Sequence, residues 1–286
     1  MRCRETLKSK IMFNCRKYRM LFYLYKNKIF NVRDLKVKEK YDARIKSIKR
    51  YNTSNVYLYE NEEIPRVAVY TCIFGNYDSV KPIHNKNKNC DYWIITDQQV
   101  SPESGWKKFE INLPEEVKNA SPTIKNRYCK MHPHILFPSY DYSIYMDGSI
   151  CIYADVFPLL GKMEDKIIGM YQHGSRDCIY EEAKKVVEYG KAPEDIVKKQ
   201  IHFYKQEGFP EHFGLTDCIV IVRKHNEKQC IKIMEDWWKL FWMYSKRDQL
   251  SFMYVLWKND MTFKDIAKLG MSYGDEARLL STGHKN

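Results

Sequence analysis

From about Arg66 onward, short apolar runs alternate with stretches of helical period, and that alternation limits the fold more than any other feature. Val67–Ile73 (VAVYTCI), Asp91–Thr96 (DYWIIT), Tyr142–Met146 (YSIYM) and Ile167–Tyr171 (IIGMY) have the length and residue types of buried strands. Cys218–Val222 (CIVIV) is apolar throughout and reads as a central strand. Trp106–Ile111 and Ile150–Val156 read as further strands. Helices are expected from Ser121-Pro122, an N-cap followed by Pro at the first position, and over Ile179–Tyr189, stopped by Gly190. Pro193–Gln206 and Glu227–Met243 follow, the latter with Cys230, Met234, Trp237 and Phe241 on one stripe. Lys246–Lys258, capped by Ser245, is the last. This order predicts an α/β body over residues 66–286, with one mostly parallel central sheet flanked by helices.

The net charge of +12 is unevenly placed. Residues 1–60 hold 17 Lys and Arg against 5 Asp and Glu, whereas the remaining 226 residues balance 31 against 31. The basicity therefore belongs to an N-terminal arm. Three readings of the arm stand. It can lie on an anionic membrane surface, with Ile11, Met12, Phe13, Leu21, Phe22 and Leu24 dipping between Lys and Arg. It can bind a phosphate backbone, or pack as a helical appendage on the body or a partner. Aromatic residues among the basic ones, with no nucleic-acid motif, favour the membrane, so no specific nucleic acid is expected. The 9 Cys form no CxxC pair, which argues against a zinc ribbon or disulfide scaffold and fits a reducing compartment. The start, MRCRETLKSK, lacks the apolar core of a signal peptide, and Met20–Tyr25 is too short to span a bilayer. These features predict a cytoplasmic protein, peripheral on the inner face of a membrane at most.

Candidate site residues cluster at the ends of the predicted strands. Asp147-Gly148 closes Tyr142–Met146, and a carboxylate at such an end faces the crevice where open α/β sheets bind ligands. Asp147 and Ser149, two apart, can both aim oxygens at one hard cation, Mg²⁺ or Mn²⁺, that also holds a diphosphate. A solvated turn is the plain alternative. The loop Phe74-Gly75-Asn76-Tyr77-Asp78 follows the first strand, and Asp97 ends the second. Arg127 and Lys130 share one helix face, which is either solvated or set against a ligand. His173 suits a metal or phosphate contact or a structural place. Asp248 can be an N-terminal helix residue beside Ser245. Glu181 and Glu182 can serve only the dipole of the helix they open. His225 reads as structural, and Trp237, Trp238 and Trp242 as core.

The order of these elements carries a resemblance. A strand ends in Thr71-Cys72-Ile73-Phe74-Gly75-Asn76-Tyr77-Asp78, a second in Thr96-Asp97, and an Arg…Lys helix leads to Asp147-Gly148-Ser149. Then come His173-x-x-Arg176-x-Cys178-x-Tyr180-Glu181-Glu182, an apolar strand with Arg223-x-His225-Asn226, a Trp-Trp helix, and Arg247-Asp248-Gln249-Leu250-Ser251-Phe252. Over about residues 66–260 this resembles the glycosyltransferase-like family first catalogued as domain of unknown function 616, whose plant members are tied to cell-wall and mucilage polysaccharide. It is more distantly similar to glycosyltransferase family 8, nucleotide-sugar transferases of the GT-A fold.

The resemblance implies a GT-A-like fold and transfer of a sugar from a nucleotide-diphospho sugar to a glycan or lipid-linked acceptor, with Mn²⁺ or Mg²⁺. Asp147 takes the metal position, and Ser149 stands where family 8 has a second Asp. In a metal-independent variant, Arg127 and Lys130 neutralise the leaving diphosphate. Thr71, Phe74, Gly75, Tyr77 and Asp78 hold the nucleotide, Tyr77 stacks on its base and Asp97 bonds base or ribose. His173 and Arg176 join the donor contacts, while Asp248 and Gln249 stand against the donor sugar or reaction centre. The family 8 likeness also implies retention of anomeric configuration, and places His284 near a late metal-binding His. The missing second Asp supports a rival, a non-catalytic carbohydrate-binding or scaffold protein on a degenerate transferase fold. For the arm, removal of residues 1–60 is expected to abolish flotation of the chain with anionic liposomes. Unchanged flotation would assign the arm another role.

Overall fold

In the computed structural model, which describes residues 64–276 and 278–282, the first apolar run forms β1, Val67–Ile73, buried along its whole length. β2 is Cys90–Thr96, β3 the two-residue Lys107–Lys108, β4 Tyr142–Asp147 and β5 Ile150–Ile152. β6 is Ile168–Gln172, β7 Thr216–Arg223, β8 Ala267–Gly270 and β9 Leu279–Ser281. The main sheet runs β3-β2-β1-β4-β7-β6-β8, and β5 pairs with β9 in a separate ribbon. β1 is parallel to β2 and β4, β2 to β3, and β6 to β8. β7 alone is reversed, antiparallel to both β4 and β6. One reversed strand in an otherwise parallel sheet gives the expected α/β, GT-A-like architecture.

Helices cover the sheet. α1 (Pro122–Met131), α2 (Ile179–Glu188), α3 (Glu194–Gln206), α4 (Lys228–Met243) and α5 (Gln249–Lys258) pack a core that includes Tyr70, Met131, Ile221, Trp237 and Phe252. The opposite face holds Val69, Ile144, Val220 and Leu160, roofed in part by the β5–β9 ribbon. The expected stripe of α4 is buried, Cys230, Met234, Trp237 and Phe241 together with Ile233. Buried residues run without a break from Leu250 to Leu256 in α5, so this helix crosses the interior instead of presenting one apolar face.

Three predicted elements differ, and of these the run Trp106–Ile111 pairs only over Lys107–Lys108. The last helix begins at Gln249, not at Lys246, and Asp248 caps it in place of Ser245. Lys246 has φ 54°, a left-handed conformation that a right-handed helix cannot continue. The run Ile150–Val156 pairs only over Ile150–Ile152, because Phe157–Lys162 turns into a 3₁₀ helix begun by Pro158. The strands β8 and β9 were not foreseen.

The C-terminal end of α1 is fixed from beneath. Arg223 at the end of β7 is completely buried and, among the described residues, has no carboxylate partner. Its Nη1 donates to Lys130 O at 2.7 Å and its Nη2 to the Tyr70 hydroxyl at 2.7 Å. The Tyr70 hydroxyl in turn lies 3.2 Å from both Cys129 O and Lys130 O. These are the carbonyls that a helix leaves unsatisfied in its last turn, and a cation there also meets the negative end of the helix dipole. Two strands of the sheet thus set the position of the helix that carries Arg127 and Lys130.

Among the described residues the cysteines are free thiols, and no helix is long and apolar enough to cross a membrane. Tyr70→Phe removes the acceptor of Arg223 Nη2 and strands part of a buried guanidinium. The expected loss of stability is about 1–3 kcal/mol, read as a lower urea midpoint with an unchanged slope. An unchanged midpoint would mean that the clamp carries no load.

Candidate active site

The parallel strands β1 and β4 end side by side, with Cys72 opposite Asp147 in register. β7 runs the other way, so its beginning, Thr216-Asp217, reaches the same edge of the sheet. Above this edge lies a cleft of about 400 Å³, walled also by α1, the start of α5 and the segment before α2. Ten of the predicted site residues line it: Phe74, Tyr77, Asp78, Arg127, Lys130, Asp147, His173, Arg176, Asp248 and Gln249.

A buried ion cluster forms the floor. Asp248 Oδ2 takes Lys130 Nζ at 2.6 Å and Arg127 Nε at 2.9 Å. Lys130 Nζ also lies 3.4 Å from Asp147 Oδ1. Burial opposes charge on Asp248, but Arg127, Lys130 and Arg247 outweigh it and hold its carboxyl far below the usual carboxylate range. Asp248 Oδ1 accepts from Gln249 N at 3.1 Å, so one side chain both caps α5 and anchors the cluster. Arg127 and Lys130, one helical turn apart on α1, meet a common partner instead of forming a solvated face.

Asp147 reaches the cleft at the end of β4. Its contacts fall on Oδ1, which accepts from the Tyr145 hydroxyl at 2.7 Å. Burial raises the Tyr145 phenol well above its ordinary pKa, so this proton stays. Gly148 follows because nothing larger fits: a Cβ there would lie 2.7 Å from Ile73 Cγ1 and 3.3 Å from Asp78 Oδ2. That close approach sets the buried Asp78 carboxylate beside the end of β4. The oxygens of Asp147 and Asp78 are of the hard type that Mg²⁺ or Mn²⁺ accepts. Ser149 is buried, its carbonyl accepting from Thr282 N at 3.0 Å, and it is not among the cleft residues. Among the described residues no group of three or more His, Cys, Asp or Glu gathers at one point. A divalent ion would fit here only with substrate oxygens completing its shell.

Thr71, Gly75 and Asp97 also stand back from the cleft. Thr71 is buried inside β1. Asp97 Oδ2 accepts from Gly75 N at 2.8 Å, which shapes the loop that presents Phe74 and Tyr77. Gly75 has φ 66°, and a Cβ there would lie 2.6 Å from Pro122 Cγ, so the loop packs directly on the first turn of α1. His173 Nδ1 accepts from Arg176 N at 3.0 Å, and burial lowers its pKa, which Glu182 partly offsets. Arg176 pairs with buried Glu182 through Nε at 2.7 Å and Nη2 at 2.6 Å. Glu182 therefore turns inward, whereas a dipole role alone would leave it in solvent. His225 is structural, bonded to Phe137 O at 2.9 Å. Trp237 is fully buried, but Trp242 is 39% exposed. The basic arm and His284 lie outside the described residues.

Further residues enter the cleft unannounced: Asn126, Lys191, Asp217, Lys246, Arg247 and Tyr273. Asn126 Nδ2 donates to Cys72 O at 2.5 Å and closes the end of β1. Gly190, at φ 61°, ends α2 and delivers Lys191. Arg247 Nε is buried and has no hydrogen-bond partner. Arg247 stood beside Asp248-Gln249 in the sequence motif, and it differs from the equally unpaired Nε of Arg223 in lining the cleft.

A family model described as TOD1/MUCI70, glycosyltransferase-like domain, matches residues 29–280. The chain belongs to this family. The motif order in the sequence pointed to it, and the match to TOD1/MUCI70 reaches beyond residues 66–260 at both ends. One relative, the probable hexosyltransferase MUCI70 of Arabidopsis thaliana, is 23% identical in an alignment of 231 residues that covers 69% of this chain and 38% of that protein. The chain thus spans less than half the length of that relative. The apo structure of the bifunctional glycosyltransferase WbbM aligns over 75% of this chain and 40% of its own, at 12% identity and a TM-score of 0.42. At that distance no residue roles carry across.

Asp217 has a distinct titration. Burial, then the neighbouring Glu182, lift its carboxyl to about 6, against the pull of Arg176. In the unfolded chain an Asp titrates near about 3.9. A raised folded pKa contributes stability while the group is protonated, and that contribution is lost as pH rises through the folded value. Asp217→Asn is therefore expected to raise the melting temperature at pH 8 and to leave it unchanged near pH 4. A pH-independent difference would place the variant's effect elsewhere.

Proposed function

We propose that the cleft transfers a sugar from a nucleotide-diphospho sugar to a hydroxyl of a glycan or lipid-linked acceptor. The observation that carries this reading is Arg247, a cation in the cleft whose buried Nε lacks a partner. Arg127, Lys130, Asp147 and Asp248 form a charge-neutral cluster, so Arg247 adds a positive charge beyond it. A diphosphate is the group that such a surplus suits, because its charge grows as the sugar–phosphate bond breaks. Tyr77 is 57% exposed on the cleft wall and can stack on a nucleotide base.

The residues divide the work. Arg247 binds the diphosphate, with Lys130 and Arg127 behind it. Asp147, with Asp78 beside it, would hold Mn²⁺ or Mg²⁺ through substrate oxygens, and such an ion would supply Lewis-acid stabilisation of the leaving group. Asp248 keeps Arg127 and Lys130 charged and in place. Membership of a glycosyltransferase-like family and similarity to a protein named a probable hexosyltransferase support transfer in general. A membrane-bound acceptor rests on the basic charge of residues 1–60 alone.

Binding of a panel of UDP- and GDP-hexoses, with Mn²⁺ and with EDTA, tests the reading. Arg247→Ala is expected to weaken binding of the preferred donor about 10- to 100-fold. Binding lost in EDTA and in Asp147→Asn would place the metal at Asp147. Binding that persists in both would leave the diphosphate to the basic residues. A folded chain that binds no donor would sink the transferase reading in favour of a non-catalytic carbohydrate-binding role.

A further inference from the structure

The carboxylates of the cleft are not equivalent. Asp248 is held by Arg127 and Lys130, Asp147 by Lys130 and the Tyr145 hydroxyl, and Glu182 by both arms of Arg176. Asp78 is buried against Gly148. Asp217 differs, since among the described residues no ion pair or side-chain hydrogen bond falls on its carboxylate, although it lines the cleft. A base needs a carboxylate that no cation holds, and among the described residues Asp248, Asp147 and Glu182 each pair with a cation while Asp217 does not.

The backbone sets Asp217 deliberately. It stands opposite Tyr171 where the pairing of β6 and β7 slips by a bulge between Met170 and Tyr171. Bulges re-aim side chains and recur beside functional sites. Gln249 Nε2 donates to Thr216 O at 3.2 Å, tying the first residue of β7 to the start of α5. The groups that face Asp217 are Glu182 and Arg176, with Cys218 next in the chain. Glu182 neutralises Arg176 at close range, which leaves Asp217 without a cation of its own.

We propose that Asp217 is the base that deprotonates the acceptor hydroxyl, and that transfer proceeds by a single displacement with inversion. This rests on the transferase reading above. The acceptor oxygen bonds to the anomeric carbon while its proton passes to the Asp217 carboxylate. The bond from the anomeric carbon to the donor phosphate oxygen breaks, and its electron pair leaves on the diphosphate, facing Arg247. A base on the protein is needed for attack from the face opposite the leaving group. In a retaining displacement the departing phosphate can take the proton itself. This proposal departs from the retention implied by the family 8 likeness. Its carboxyl, lifted by burial and Glu182 to about 6, is matched to proton transfer near neutral pH.

The test uses the full chain, with the donor selected from the UDP- and GDP-hexose panel and with water or an added oligosaccharide as acceptor. Asp217→Asn should bind the donor within about twofold of wild type and lose about 10²- to 10⁴-fold in kcat. The acid limb of the wild-type pH profile near 6 should vanish from the residual activity, and Asp217→Glu should restore part of the rate. The newly formed anomeric centre, read by proton NMR before mutarotation, should be inverted. Undiminished turnover in Asp217→Asn, or retention in the wild-type product, would overturn the assignment while intact donor binding left the transferase reading standing. Absence of donor binding to folded wild type would overturn both.

Discussion

Two cations share one carboxylate oxygen in the interior of this protein, and the site is built around that contact. Removing Lys130, Arg127 and Asp248 from water costs several kcal/mol per ion, which only close pairing offsets. Lys130 is fully buried, and its partners Asp248 and Asp147 come from the start of α5 and the end of β4. The cluster therefore joins three elements far apart in the chain. Loss of one member leaves the others as uncompensated buried charge, so the arrangement is held as a unit. Such a cluster is weak support for stability in itself. Its value is that it sets charges at fixed positions before any ligand arrives, which spares reorganisation at the moment of reaction.

The framework behind the cluster is equally polar. Arg223 and Tyr70 take the last carbonyls of α1, and Trp237 Nε1 donates to Asp248 O at 2.9 Å. The C-terminal turn of α1 and the start of α5 are thus each held by directed hydrogen bonds. Supports of this kind hold side chains to a small fraction of an ångström better than apolar contacts alone, because their geometry is directional.

Most of the architecture was legible in the sequence because the strands are short, apolar and bounded by turns. β1 matched its expected bounds, and the stripe of α4 was read correctly from its period. The reversed strand was not. Apolar content cannot tell direction, so Asp217, at the amino end of β7, carries no mark in the sequence of a place at the carboxyl edge of the sheet. Asp97 and Gly75 were read as ligand contacts, but the structure shows one bonded to the other. A loop residue that shapes a site and one that touches a ligand share the same chemistry in sequence. Asp248 could be read as cap or site residue, and it is both, since its two oxygens face different partners.

Cysteine shares this edge of the sheet with the charged groups. Cys72 and Cys218 both line the cleft. Burial pushes both thiols well above their ordinary pKa, and nearby carboxylates, Asp147 for Cys72 and Asp248 for Cys218, add to the effect. Electrophiles and oxidants attack thiolates, and neither sulfur is one at physiological pH. The cleft therefore carries sulfur without carrying a reactive thiol. Its chemistry is insulated from the redox state of its surroundings, and covalent thiol reagents are poor probes of its occupancy.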